Sequence, residues 1–395
     1  MHSILILGRQ PTLGLAELES LYGTEALSVI QPHVAQLKLP VGQVDFDRLG
    51  GSTRLAQVIT TIPSKLWKDV EKQLAKSIAE IAAELPEGKL QLGFSCFDIP
   101  ITPAKLNATG LTVKKIVRSH TNRSVRITPN PELELNTAQV QHNHLTGPTG
   151  IEMLIITSDE GTILARTIAA QDIDSYTLRD RGRPKRDARV GMLPPKLAQM
   201  LINLATGSEK PTANLTVLDP FCGTGVVLQE ALLMGYSAYG TDLEPRMIDY
   251  TGENLDWLDG KFTLGNTEMR IETGDATTHQ WSPVPNFVAG ETYLGRPFTA
   301  KPAPDVLAQT ISEVNLILKK FLRNIHTQLP AGTRLCLAVP AWQTAPDRFK
   351  HLPLIDQIGD LGYNQVRLEQ VRDAKLLYYR EDQIVARELL VLTRK

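Results

Sequence analysis

The chain has 395 residues, 42% hydrophobic and 22% charged, with 42 Lys+Arg against 43 Asp+Glu. At ~150 residues per domain this length predicts two or three domains, each able to bury a core, and an apolar content this high with so little net charge excludes a mainly disordered chain. No apolar run approaches the roughly 20 residues that cross a bilayer. The first residues show neither a basic leader nor a small-residue cleavage pattern. Cys96, Cys222 and Cys336 are too widely spaced for a disulfide framework or a zinc site. The expectation is a soluble, cytoplasmic protein.

In chain order, residues 4–7 are apolar and β-prone, break at 8–11, and lead into Leu15, Ala16, Leu18 and Leu21 at helical spacing. Residues 67–85 place Val70, Leu74, Ile78, Ile81 and Ala82 every three or four positions, an amphipathic helix that stops before Pro86. Strands are expected at 90–97, 125–128 and 153–156. Lys105, Lys114, Lys115, Arg118, Arg123 and Arg126 crowd a stretch without an acid. Arg179, Arg181, Arg183, Lys185, Arg186 and Arg189 share theirs with only Asp180 and Asp187. Each run reads as a solvated face or as a phosphate-binding footprint, which needs a local patch and not a basic protein. Residues 175–191, polar and broken by Gly182 and Pro184, have the composition of a linker.

Beyond it the pattern changes. Pro194 and Pro195 open a helix carrying Leu197, Met200, Leu201 and Leu204, where the missing proline N–H costs nothing. A strand at 216–218, a helix at 226–233, a strand at 238–241 and a helix at 246–258 follow, with further strands at 270–272, 287–288 and 335–339. Alternation at this pitch predicts βαβ units, an α/β fold with a parallel sheet covered on both faces. Residues 375–379 and 384–392, around Arg380, Glu381 and Asp382, read as an antiparallel hairpin.

The strongest local signal is Asp219-Pro220-Phe221-Cys222-Gly223-Thr224-Gly225, placed where a strand meets a helix. Ligands of open α/β sheets bind there. Gly223 and Gly225 let the backbone approach a ligand, and the spacing fits neither a phosphate-cradling loop nor a dinucleotide fingerprint. Asp242, with Leu243 after it, ends the next strand, where an acid hydrogen-bonds ribose hydroxyls. Asp275, with Ala276, ends a third, beside an adenine. Three acids at three successive strand ends suit a ligand with no phosphates, a ribose, an adenine and a positive centre. S-adenosylmethionine fits that description.

The chain here resembles a known family. The string from Asp219 to Gly225 is similar to the cofactor loop of class I methyltransferases that act on amino groups of nucleic-acid bases. Arg179-Asp180-Arg181-Gly182-Arg183-Pro184, with Gly191-Met192-Leu193-Pro194-Pro195-Lys196-Leu197-Ala198-Gln199, resembles the linker and first catalytic helix of the archaeal and eukaryal tRNA guanosine-10 N2-methyltransferases. Ile6-Leu7-Gly8-Arg9 with Ala16-Glu17-Leu18-Glu19, Ala169-Ala170-Gln171-Asp172-Ile173-Asp174-Ser175-Tyr176, and Arg380-Glu381-Asp382-Gln383-Ile384-Val385 match the same family. The resemblance implies a ferredoxin-like part at 1–60, a THUMP RNA-binding domain at 61–170 holding the first basic run, a linker at 171–190 and a Rossmann-like methyltransferase domain at 191–395. It further implies methyl transfer from S-adenosylmethionine to the N2 amine of a tRNA guanosine at position 10. Cofactor contacts are then expected from Asp219 to Gly225, Asp242, Leu243, Asp275, Ala276 and Pro194. RNA contacts are expected from Lys105, Lys114, Lys115, Arg118, Arg123, Arg126, Arg179, Arg181, Arg183, Lys185 and Arg186. Eukaryal relatives use a small activating subunit, so such a partner is open here too.

One departure matters. The family carries an Asp-Pro-Pro-Tyr-type motif, in which the acid and a proline carbonyl accept the target amine's hydrogens and the aromatic stacks on the base. This chain has Gly290-Glu291-Thr292-Tyr293-Leu294-Gly295-Arg296-Pro297. Alignment on Gly295-Arg296 puts Glu291 at the acid and Leu294 at the aromatic position; a shift of one residue restores Tyr293 as the ring but puts Gly290 at the acid. Glutamate remains an acceptor-only carboxylate, so Glu291 is expected to hold the amine and Tyr293 to stack. The alternatives left open are another RNA guanosine, the N6 amine of DNA adenine, and a non-catalytic RNA-binding protein with a degenerate motif. Cys222, Cys96 and Cys336 read as packing thiols, and His142 with His144 lacks the companions of a metal site.

Overall fold

The computed structural model describes residues 2–187, 192–298, 300–372, 374–380 and 383–395. They fall into two units: residues 1–11, 25–47 and 52–174 form the first, and residues 12–24, 48–51 and 175–395 the second.

The first unit is built on eight strands: β1 (Ser3–Leu7), β2 (Leu27–Gln31), β3 (Val34–Leu37), β4 (Ser52–Ile62), β5 (Leu90–Phe97), β6 (Val125–Ile127), β7 (Gly150–Ser158) and β8 (Gly161–Ala170), in the order β2-β3-β1-β4-β8-β7-β5-β6. The strands expected at 4–7, 90–97, 125–128 and 153–156 all lie in it. Neighbours run antiparallel except β5, which pairs parallel with β6 and β7. The helix α1 (Pro11–Tyr22) follows β1 in the chain, but from Thr12 onward it belongs to the second unit. The helices α2 (Trp67–Glu84) and α3 (Pro103–Thr121) share a core with the sheet, through Val70, Leu74 and Ile78 of α2 and Leu106, Val113 and Val117 of α3 against Phe94 and Met153. Thr102 caps α3, accepting from the Lys105 backbone N–H at 3.2 Å. Inside the sheet, Arg54 and Glu152 form a buried ion pair at 2.7 Å, with Ser95 and Thr167 donating to the same carboxylate. A short helix, α4 (Thr137–His142), carries a complete capping box.

The segment expected to be a linker is partly helical. The helix α5 (Ile173–Arg181) occupies its first half because Arg179 is drawn inward to Glu230, Nε to Oε1 at 2.7 Å.

In the second unit, α6 (Pro195–Thr206), β9 (Thr216–Asp219), α7 (Val226–Leu233), β10 (Ser237–Asp242), α8 (Pro245–Asp259), β11 (Met269–Thr273) and β12 (Phe287–Glu291) are succeeded by α9 (Pro304–His326), β13 (Arg334–Ala345), β14 (Arg348–Lys350), β15 (Tyr363–Gln365), β16 (Leu377–Tyr378) and β17 (Val385–Arg394). The main sheet runs β11-β10-β9-β12-β13-β17-β15. Its first five strands are parallel, as the βαβ alternation predicts. The sheet as a whole is mixed, however, because β17 runs antiparallel to both β13 and β15. The expected terminal hairpin is a two-pair contact of β16 with β17, Leu377 opposite Glu388 and Tyr378 opposite Arg387. The long partner of β17 is β13, and Glu381 and Asp382 lie outside the described residues.

Alternation along β13 puts Leu335, Leu337 and Val339 in one core with Ile311, Val314, Leu318, Phe321 and Ile325 of α9. On the other side α6 is buried along its length. Helix α1 joins this unit through carboxylates: Glu17 accepts from the backbone N–H of Gly50 and Gly51 and from Asn203 of α6, at 2.9, 2.8 and 2.7 Å.

Candidate functional site

Four carboxylates gather at the C-terminal ends of four neighbouring parallel strands: Asp275 just beyond β11, Asp242 ending β10, Asp219 ending β9 and Glu291 ending β12. Asp219 is buried and its Oδ1 accepts from the Phe221 N–H at 3.1 Å. The loop after it turns on Gly223 and Gly225, with φ of +52° and +83°. A Cβ on Gly223 would meet nothing within 4 Å, so the backbone there faces open space; one on Gly225 would press on Thr251 at 2.9 Å. Asp242 accepts from the Gly223 N–H at 2.9 Å and from the Glu244 N–H at 3.0 Å, which ties β10 to the loop. From below, Thr251 donates to the Gly223 carbonyl at 2.8 Å and Asn254 to the Thr224 carbonyl at 2.9 Å. The Pro220 carbonyl receives the Thr241 hydroxyl at 3.3 Å. Phe221 packs edge-on against Phe321, ring centroids 5.1 Å apart.

Leu243 stands 64% exposed beyond Asp242, an apolar side chain at the rim. Asp275 is exposed and accepts from both the backbone and the hydroxyl of Thr277 at 2.8 Å, while Ala276 is buried. The Gly274 N–H reaches the Asp242 carbonyl at 2.9 Å, holding the two acidic ends side by side. Pro194 is the N-cap of α6 and its carbonyl accepts from Leu197 and Ala198. Cys222 is buried, its Sγ 3.9 Å from the Thr251 hydroxyl, and burial beside Asp219 and Asp242 pushes its thiol well above the usual range, as packing requires and a nucleophile does not.

Glu291 is half-buried at the end of β12 and its Oε1 accepts from Arg387 Nε on β17. Burial holds its carboxyl above the usual carboxylate range, and the charge and hydrogen bond of Arg387 oppose that shift without cancelling it. Asp219 has no such cation. Burial holds it well above the usual carboxylate range, and the charges of Asp242 and Glu291 add to that. Asp242 is raised by burial too, against the two N–H bonds it accepts. Gly290 lets these acids meet: a Cβ there would lie 2.4 Å from Asp219 Oδ1. Tyr293 is 44% exposed. The sequence motif brought out Asp219, Asp242 and Glu291. It missed Gly290, Asn254 and Arg387, and only Gly290, adjoining the motif, carried a local signal. Among the described residues, no group of three metal-binding side chains is placed to hold an ion.

The basic runs divide. Lys105, Lys115, Arg118 and Arg126 are exposed and Lys114 is half-buried. Arg123 is turned to the backbone, donating to the carbonyls of Gly88, Ala82 and Leu85 at 3.0, 2.7 and 3.3 Å. In the second run Arg179 and Arg183 are buried, 7% and 3% exposed, which removes both from any surface footprint. Arg181 and Arg186 are exposed. Lys185 pairs with Glu253 at 3.1 Å, and its backbone is bound by Asn254. Arg189 lies outside the described residues.

Parts of the chain are similar to known proteins in sequence, and the whole is similar in fold. The profile of a family described as DNA methylase matches residues 177–253. Over 151 residues the chain is 31% identical to the tRNA (guanine(10)-N2)-dimethyltransferase of Methanothermobacter thermautotrophicus, a match covering 38% of this chain and 39% of that relative. Over 133 residues it is 34% identical to the protein of the same name from Methanocaldococcus jannaschii, covering 34% and 35%. The chain thus spans about two fifths of the length of these relatives, or less. The crystal structure of TrmN from Thermus thermophilus is 16% identical and superposes over 100% of both chains with a TM-score of 0.51, a likeness of fold. That fold is the Rossmann-like α/β arrangement the sequence predicts. No described helix is long and apolar enough to cross a membrane.

Proposed function

We propose that the chain is an S-adenosylmethionine-dependent methyltransferase that modifies the exocyclic N2 amine of a tRNA guanosine, at position 10 by analogy with the relatives. One observation carries the reading: carboxylates cap four adjacent parallel strands around a glycine loop, and neither Asp219 nor Asp242 has a cationic partner among the described residues. Such a crevice favours a ligand that brings hydroxyls, an amine and a positive charge. The open space at Gly223, the acceptor atoms of Asp242 and Asp275 and the apolar face of Leu243 fit an adenosyl group.

When bound, the donor supplies a methyl group on a sulfonium and leaves as a neutral thioether. The guanine N2 lone pair is delocalised and weakly nucleophilic, so the chain must position it in line and offset the charge that develops as the N–C bond forms. Glu291 Oε2, which meets no donor among the described residues, accepts an N2 hydrogen and then the proton. Tyr293, exposed two residues on, stacks on the base. A guanosine in a helix must leave its stack to reach this depth.

The RNA is gripped by shape and phosphates. We assign this to the first unit, read as a ferredoxin-like part at 1–60 and a THUMP domain at 61–170, with the exposed Lys105, Lys115, Arg118 and Arg126, and to Arg181 and Arg186 of the segment 171–190. The methyltransferase part is 191–395. The Glu291–Arg387 pair supports a second reading, a protein that binds donor and RNA without turnover. Incubation with labelled donor and unmodified tRNA, ribosomal RNA or DNA separates these. Label in tRNA supports the first reading; label only in another polymer changes the substrate; no label in any, with donor binding intact, establishes the second.

A further inference from the structure

Arg387 is the residue at this site that the acidic crevice does not by itself explain. It sits on β17, opposite Pro340 of β13, two positions beyond the level at which Glu291 faces Ala338. Its side chain is 7% exposed, and a guanidinium taken so far out of water needs an anion close by. Alternation along β17 sends the next residue, Glu388, to the opposite face, where His351 takes its carboxylate and Lys375 approaches the far side of the imidazole. Arg387 is left with Glu291. Among the described residues, Asp219 on β9 feels the Glu291 charge and Arg387 on β17 binds the carboxylate, while Lys196 of α6 is directed onto the Tyr176 ring, 4.8 Å from its centroid. Burial raises the Glu291 carboxyl, and among the described residues Arg387 is the charged group that opposes it, through both its charge and its hydrogen bond.

We infer that Arg387 is a positioning residue: by binding Oε1 through Nε it keeps Glu291 ionised and turns Oε2 toward the crevice as the single free acceptor for a substrate amine. The inference rests on the methyl-transfer reading for its purpose, but its physical content stands apart from turnover. An ionised carboxylate can receive an amine N–H and then the proton; a protonated one retains only a weaker neutral acceptor and cannot take the proton. Burial already pushes the Glu291 carboxyl up against the guanidinium's pull, and removing Arg387 lets it rise further.

Infrared difference spectra between the full chain and its Glu291→Gln variant read the state of this one carboxyl without requiring activity. In the wild type near neutral pH the difference should show loss of an ionised carboxylate band. In an Arg387→Met background it should show loss of a protonated carboxyl band, with circular dichroism and donor calorimetry confirming the fold. A protonated Glu291 in the wild type overturns the inference by itself, whether or not the arginine variant folds. An ionised Glu291 in Arg387→Met overturns it equally. Where turnover is detected, the acid limb of the rate profile should move up by about one pH unit or more in Arg387→Met and stay in place in Arg387→Lys; superimposed limbs for wild type and Arg387→Met refute the positioning role. A wild type inactive on every nucleic acid, yet with an ionised Glu291 that Arg387→Met protonates, sinks the proposed function and leaves the inference standing.

Discussion

Gly290 and Asp242 are single positions on which the crevice depends. A methyl group at 290 has no room, because the Asp219 carboxylate occupies it. Gly290→Ala should cost about 1–3 kcal/mol of stability through overpacking, with donor affinity falling further as Asp219 is displaced; thermal melts and calorimetry read the two separately. Asp242→Ala removes the acceptor for the Gly223 and Glu244 N–H groups along with the proposed ribose acceptor, and should weaken donor binding at least about a hundredfold, the loss of two to three hydrogen bonds, some to a charged group. The strand-end positions of Asp219 and Asp242, and of Asp275 just beyond β11, were legible because each follows a short β-prone run. Arg387 was not, being 96 positions from Glu291 and joined to it only through the sheet. Arg179 and Arg183 show the opposite failure: composition marks a basic run, but not which of its side chains turn inward.

Among elements, α1 shows how far chain order and packing can diverge. Its helical spacing is plain in the sequence, yet its partners are Gly50, Gly51 and Asn203, and Glu19 binds the N–H groups of Glu369 and Gln370 at 2.6 and 2.9 Å. Burial lifts Glu17 from 4.5 to about 7, with Asn203, the two glycine N–H groups and Arg48 opposing the shift. Between those limits the folded chain keeps a proton that the unfolded chain releases, so this group's contribution to stability falls as pH rises and is lost above about 7, roughly 3 kcal/mol in all. The wild-type melting midpoint should therefore drop more steeply from about pH 5 to about pH 8 than that of Glu17→Gln; equal slopes would show that Glu17 ionises freely. Helix α9 keeps a helical period through Ile311, Val314, Leu318, Phe321 and Ile325, an element not among those predicted from the sequence. The terminal hairpin of β16 with β17 was legible, but the long antiparallel pairing of β17 with β13 was not, since alternation predicts only parallel neighbours for β13.

At the scale of the whole molecule, the second unit carries the acidic crevice and the first unit carries exposed basic side chains. Lys115, Arg118 and Arg126 replaced together by alanine should lower the slope of log affinity for tRNA against log salt by about two to three, whereas Arg123→Ala should leave the slope alone and lower the melting temperature, because its guanidinium holds carbonyls and not phosphates. The curated relatives match two fifths of the chain or less, so substrate identity must come from the reaction itself. The decisive measurement is mass spectrometry of nucleosides from unmodified tRNA incubated with S-adenosylmethionine and either the wild type or Glu291→Gln. The account predicts N2-methylated guanosine from the wild type and none from the variant, at equal donor affinity. Methylation on another atom, or equal product from both proteins, would contradict it.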